Sequence, residues 1–312
     1  MARDRTSYGK ENALARQSAG DYIFHTINMI VWVVVLFVIL YPMYLILISS
    51  FSDPKAVVNG EVYWWPVDPS LVGYEGIFKF ALFWRSYLNS FIYTISGTAL
   101  GVFITLMGAY ALSNQFLGKR IAVVVIIIPM FFSGGLIPSF LLMNRIGLYD
   151  NPLIIVLMSC MTVWNLMLAR TYISNSIPRE LYEAASIDGA SHVYYFFHVV
   201  LPLSGTITAV LCIYYGVNYW NDWYNALIYL RNKNYYPMPF VLREILAKLQ
   251  IDTPMYSDIF TIEDLRTLQE KKRVAEVVKY CAIILSTGPA VILYLFMQKF
   301  FVKGVMIGSL KG

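Results

Sequence analysis

The chain has 312 residues, of which 58% are hydrophobic and 14% charged, with a net charge of +5. Soluble domains carry about 25% charged residues, so this deficit excludes an ordinary soluble protein and points to one embedded in lipid. A surplus of this size does not call for a nucleic-acid partner; basic loops on the inner side of a membrane account for it.

A spanning helix needs roughly 20 mostly apolar residues, and lipid cannot satisfy backbone polar groups, so helices are the economical way across. Residues 1–20 read as a tail. Arg3, Arg5, Lys10 and Arg16 in it place the N-terminus inside. Residues 21–312 read as one membrane domain. The first window free of Asp, Glu, Lys and Arg lies between Asp21 and Asp53. Its apolar run, Ile23 to Ile48, is too long for a cleavable signal and reads as an anchor. An outer stretch follows, about 51–86. The second window lies between Arg85 and Lys119 and the third between Arg120 and Arg145. In the third, Gly134-Gly135 and Pro138 predict a break or bend, with Pro129 contributing. The fourth window lies between Asp150 and Arg170.

The segment 176–202, containing "ELYEAASIDGASHVYYFFHVVLP", is a polar insert between apolar windows. Pro178 suits a first helical turn, and Glu180 and Glu183 sit near the positive end of the helix dipole. Leu181, Ala184, Ala185 and Asp188 share one small, shallow face. Gly189 can stop the helix with a positive φ, Ser191 can cap a second helix, and Pro202 sets the start of the fifth span. The fifth window ends at Asp222 and the sixth lies between Lys279 and Lys299. Six spans put both termini inside. A second outer stretch, about 229–278, carries the sign-alternating run "EDLRTLQEKKRVAEVVK", which reads as a solvated, partly helical cap.

Where span five ends, Asn218, Asn221 and Asp222 are costly near lipid and imply a cavity or a partner. Tyr215, Tyr219, Trp220 and Trp223 offer faces on which sugar rings can stack; an aromatic belt at the outer leaflet accounts for them equally well. Cys160, Cys212 and Cys281 lie in apolar windows and read as buried thiols. The three histidines have no neighbours that suggest catalysis or a metal site. No nucleophile–base pattern and no phosphate-binding loop occur, so we expect no catalytic residue, no metal and no cofactor bound by this chain.

The spacing of the insert is specific. Glu183-Ala184-Ala185, three residues, Gly189, nine residues, Val199, one residue, then Leu201-Pro202 resembles the EAA loop of ATP-binding-cassette importer permeases. Val199 in place of isoleucine is its one departure. "FFSGGLIPSFLL" at 131–142, Ile146-Gly147-Leu148 and the terminal "FVKGVMIGSLKG" are similar to the carbohydrate branch of that family that handles complex oligosaccharides. The resemblance implies an all-α polytopic membrane protein with six transmembrane helices, cytoplasmic coupling helices and both termini cytoplasmic. It implies an oligosaccharide substrate and three partners: a second homologous permease, a cytoplasmic ATPase dimer that holds ATP and magnesium, and an extracellular solute-binding lipoprotein. It places Leu181, Glu183, Ala184, Ala185, Asp188, Gly189, Val199, Leu201 and Pro202 in the ATPase-coupling loop. A permease of this class for another solute, such as a peptide, and a membrane-embedded enzyme acting on glycans or lipids are the alternatives. An enzyme needs clustered titratable groups at membrane depth, which the sequence lacks.

Overall fold

The computed structural model describes residues 19–79, 81–251 and 262–309. Most of the expected N-terminal tail, with its basic residues, lies outside them. The described chain is all-α, with no strand among the described residues.

Helix α1 (Ala19–Ser50) occupies the first apolar window. The stretch after it folds into α2 (Pro54–Val58), started by Asp53 accepting from the Lys55 N–H, and α3 (Val72–Phe78). Helix α4 (Ala81–Ser113) fills the second window. The third window is broken as its glycines and proline predicted. Helix α5 (Lys119–Phe131) stops, residues 132–135 run non-helical, and α6 (Leu136–Arg145) leaves at 111° to α5. Gly135 makes this turn with φ 86° and ψ 170°, a region open to little but glycine.

The fourth window is also broken, where one span was expected. Helix α7 (Leu153–Met158) and α8 (Val163–Ser176) are separated by residues 159–162, and Thr162 caps α8 by accepting from the Asn165 N–H. The polar insert gives α9 (Arg179–Ile187) and α10 (His192–Tyr195), then a wide π turn at Phe196–Val200 and α11 (Leu201–Leu203). The wide turn lies just where Pro202 has no N–H to return to His198. Helix α12 (Gly205–Trp220) leaves this run at 80°. Then come α13 (Tyr224–Tyr229), α14 (Met238–Ile251) and the 48-residue α15 (Ile262–Ser309), so the described residues of the stretch 229–278 are largely helix. Three described helices can each cross a bilayer, Gly20–Ser50, Leu82–Ser113 and Arg273–Phe296; counting each bent pair as one span brings the number up to five. The fourth expected span falls on α7 and α8, which are 6 and 14 residues long and are not among the helices or bent pairs long and apolar enough to cross.

Helix α4 is the centre of the bundle and packs against α8, α12 and α14. Gly97 and Gly101, one turn apart, let α12 approach: a Cβ on Gly97 would lie 2.5 Å from the Tyr219 ring. The main core is built from Leu106, Ala109, Leu166, Ala169, Val200, Leu211 and Tyr215. A second core joins α3, α4, α14 and α15 through Ile77, Phe83, Met238, Val277 and Cys281. The three cysteines are free thiols; Cys281 is buried and donates to the Ser50 carbonyl at 3.3 Å. Helix α1 is the exception to this packing, with its side chains from Tyr22 to Leu40 exposed.

Candidate functional site

The polar insert lies at the end of the bundle shared by the C-termini of α4 and α8 and the N-terminus of α5. Its turn is a complete Schellman cap. The Gly189 N–H reaches the Ser186 carbonyl at 3.1 Å and the Ala190 N–H reaches the Ala185 carbonyl at 2.9 Å, with Gly189 at φ +74°. Ser191 then caps α10 by accepting from the Tyr194 N–H at 3.2 Å. Carbonyls at the end of α9 and an N–H at the start of α10 are thereby met within three residues of chain.

The two faces of α9 differ. Leu181, Glu183, Ala184, Ile187 and Asp188 are exposed, whereas Tyr182 and Ala185 turn inward against the main core. Ala185 therefore leaves the outer face on which sequence spacing placed it: its methyl lets α9 sit close to its own bundle. Glu183 forms an exposed pair with Arg179 at 3.3 Å. Exposed pairs are worth about 0–1 kcal/mol, so this carboxylate can exchange partners at little cost. Val199 and Leu201 pack against the main core, and Pro202 ends the wide turn.

Sequence reasoning missed an aromatic knot behind α9. His192 contacts the Tyr110 hydroxyl through Nδ1 at 2.9 Å and the Tyr182 hydroxyl through Nε2 at 3.2 Å. Its ring stacks on Tyr182 with centroids 5.3 Å apart. Tyr195 stands edge-on to Tyr182 at 5.4 Å and is buried, as is Phe196. The aromatic run after Ser191 thus faces inward at Tyr195 and Phe196. Beside the knot, Lys119 donates to the Ser113 carbonyl at 3.0 Å and Arg170 to the Leu112 carbonyl at 3.3 Å. Both cations neutralise the negative end of α4 and tie α5 and α8 to it.

At the far end of α12 the candidate path residues divide by helical phase. Tyr215 and Tyr219 are buried, 1% and 2% exposed. The Tyr219 hydroxyl donates to the Val156 carbonyl at 2.6 Å, and the Tyr215 hydroxyl accepts from the Thr162 N–H at 3.3 Å and bonds Thr105 at 2.6 Å. They service the break between α7 and α8, where backbone groups lose their helical partners, and offer no open ring face. The opposite face carries Tyr214, Val217, Asn218 and Asn221, all exposed. That phase was readable, since Leu211, Tyr215 and Tyr219 recur at helical spacing. Asp222 accepts from the Asn225 N–H at 3.1 Å and side-chain amide at 2.8 Å, and burial holds its carboxyl above the usual range against those two bonds. The Trp223 ring is half-buried, with the Arg243 guanidinium 3.7 Å above it.

Residues 97–307 match the family described as binding-protein-dependent transport system inner membrane component. The chain is 32% identical over 268 residues to the polygalacturonan/rhamnogalacturonan transport system permease protein YtcP of Bacillus subtilis (strain 168), covering 86% of this chain and 91% of that one. It is equally 32% identical to Protein LplC of the same organism, covering 87% and 89%. A solved bacterial ABC transporter involved in import of the acidic polysaccharide alginate superposes on 91% of this chain and 98% of its own, with TM-score 0.81 and 30% identity.

Proposed function

The chain belongs to the family of binding-protein-dependent transport system inner membrane components, and from that membership we propose how it works. It is a multi-pass plasma-membrane permease subunit of an ABC importer that translocates oligosaccharides; its relative YtcP is named for polygalacturonan and rhamnogalacturonan transport and its structural neighbour for import of the acidic polysaccharide alginate. In our reading the segment 176–202 is the coupling loop and lies in the cytoplasm with both termini. Helix α9 docks by Leu181, Ala184 and Asp188 into a groove of a separate ATPase dimer, which holds ATP and magnesium. Glu183 exchanges Arg179 for a basic residue of that partner. A second permease completes the path, and an extracellular solute-binding lipoprotein delivers the sugar. Asn218 and Asn221 line the path on the exposed face of α12, with Asp222 and Trp223 at its outer end. Tyr215 and Tyr219 hold that helix in place.

The observation that carries this reading is the short exposed face of α9, held rigid by its Schellman cap and standing at the root of a spanning helix. Co-purification with the ATPase tests it. Ala184→Trp puts a large ring on the outer face and is expected to release the ATPase while the permease still inserts; Ala184→Ser is expected to keep it. An ATPase retained at native levels by Ala184→Trp would overturn the docking assignment.

A further inference from the structure

We propose that His192 is a positioning residue which makes the coupling helix α9 and the spanning helix α4 move as one body. The proposal rests on α9 as the ATPase-docking helix and names the link by which that motion reaches the membrane. Helix α9 has no long packing interface of its own: its inward side chains are Tyr182 and Ala185. Across the Schellman turn, His192 is placed where one imidazole reaches two elements at once. Tyr182 lies on α9, and Tyr110 lies in the last turns of α4, 82 positions from His192 in sequence.

The chemistry suits a bridge. A neutral imidazole has one N–H donor and one acceptor nitrogen. Either tautomer therefore satisfies both tyrosines, donating to one hydroxyl oxygen and accepting the O–H of the other. The stacked Tyr182 ring restricts rotation of the imidazole about its own axis. Tyr110 is 8% exposed and packs at a tilt against Tyr195 and Phe196, so the α4 side of the bridge is anchored in the main core. Lys119 and Arg170 hold the same end of α4 to α5 and α8. A push on α9 therefore arrives at a point where the ends of α4, α5 and α8 are already joined. A cavity of about 280 Å³ opens beside the bridge, lined among others by Asn114, Ser174 and Arg179. With that gap on one flank, the imidazole is the hydrogen-bonded link between α9 and α4, beside the apolar packing of Tyr195 on both tyrosines and of Ala185 on the main core.

The test uses the full assembly with its ATPase, reconstituted in nanodiscs, with the three native cysteines changed to alanine. Spin labels at Ser186→Cys on α9 and Ile95→Cys on α4 report the distance between the two helices. In the native assembly we expect a single narrow distance that ATP–vanadate trapping leaves unchanged. His192→Phe keeps the stacking ring and removes both nitrogens; it is expected to broaden the distribution and to let trapping shift it. The ATPase is expected to remain attached, because the outer face of α9 is untouched. Tyr110→Phe and Tyr182→Phe are each expected to reproduce the effect, and to add nothing when combined with His192→Phe, which a general loss of packing would not do. A narrow, unchanged distance in His192→Phe overturns the proposal, as does a native distance that shifts on trapping. Absence of the ATPase from the native assembly instead overturns the docking reading on which the proposal stands.

Discussion

Tyr219 has two roles on α12. Its ring takes the space left open by Gly97, and its hydroxyl meets the Val156 carbonyl that the break after α7 leaves without a helical partner. Removing the hydroxyl strands that carbonyl, and such losses inside membrane bundles cost about 1 kcal/mol. Tyr219→Phe is therefore expected to lower the melting temperature in detergent modestly. Gly97→Leu drives a side chain into the ring and is expected to lower it much further. Gly189 is the second decisive residue. At φ +74° a residue such as alanine pays a steric penalty of roughly 1–2 kcal/mol, so Gly189→Ala is expected to loosen the turn and reduce the ATPase that co-purifies, without loss of membrane insertion.

Among the elements, α5 and α6 show how a break is built. Pro129 and the glycine pair were legible in sequence, and the structure puts the change of direction at residues 132–135. Of the two glycines, Gly135 holds a conformation closed to other residues, whereas Gly134 borders open space, with nothing within 4 Å of where a Cβ would lie. Gly135→Ala is accordingly expected to cost about 1–3 kcal/mol, read as a clear drop in melting temperature and in yield of assembled permease. Gly134→Ala is expected to behave as the native protein. The break in α7–α8 gave no comparable signal. Its window carries no glycine, and its stability comes from Tyr215 and Tyr219, more than 50 residues away.

For the whole molecule, the proposed topology puts the α9 end and the α2–α3 end on opposite sides of the membrane. Trp65 and Ile187 are 77% and 86% exposed and mark these ends. A cysteine replacing Trp65 is expected to react with an impermeant reagent in intact cells. One replacing Ile187 is expected to react only after the membrane is opened. Labelling of both from outside would reverse the orientation of the coupling loop.

Local chemistry by itself determined the membrane setting, the all-α class, the bend in the third window and the form of the polar insert. Those features depend on runs of apolar residues, on glycine conformations and on caps that act within a few positions of chain. The tertiary structure alone decided which faces meet. It turned Ala185 toward its own bundle and gave Tyr215 and Tyr219 their partners at the distant break between α7 and α8. It also joined His192 to Tyr110, a pairing that no spacing rule reaches. The physical reason is common to all of these. A side chain's type states which contacts it can make, but in a bundle the partner is chosen by the close approach of distant helices, and that approach is set by packing over the entire chain.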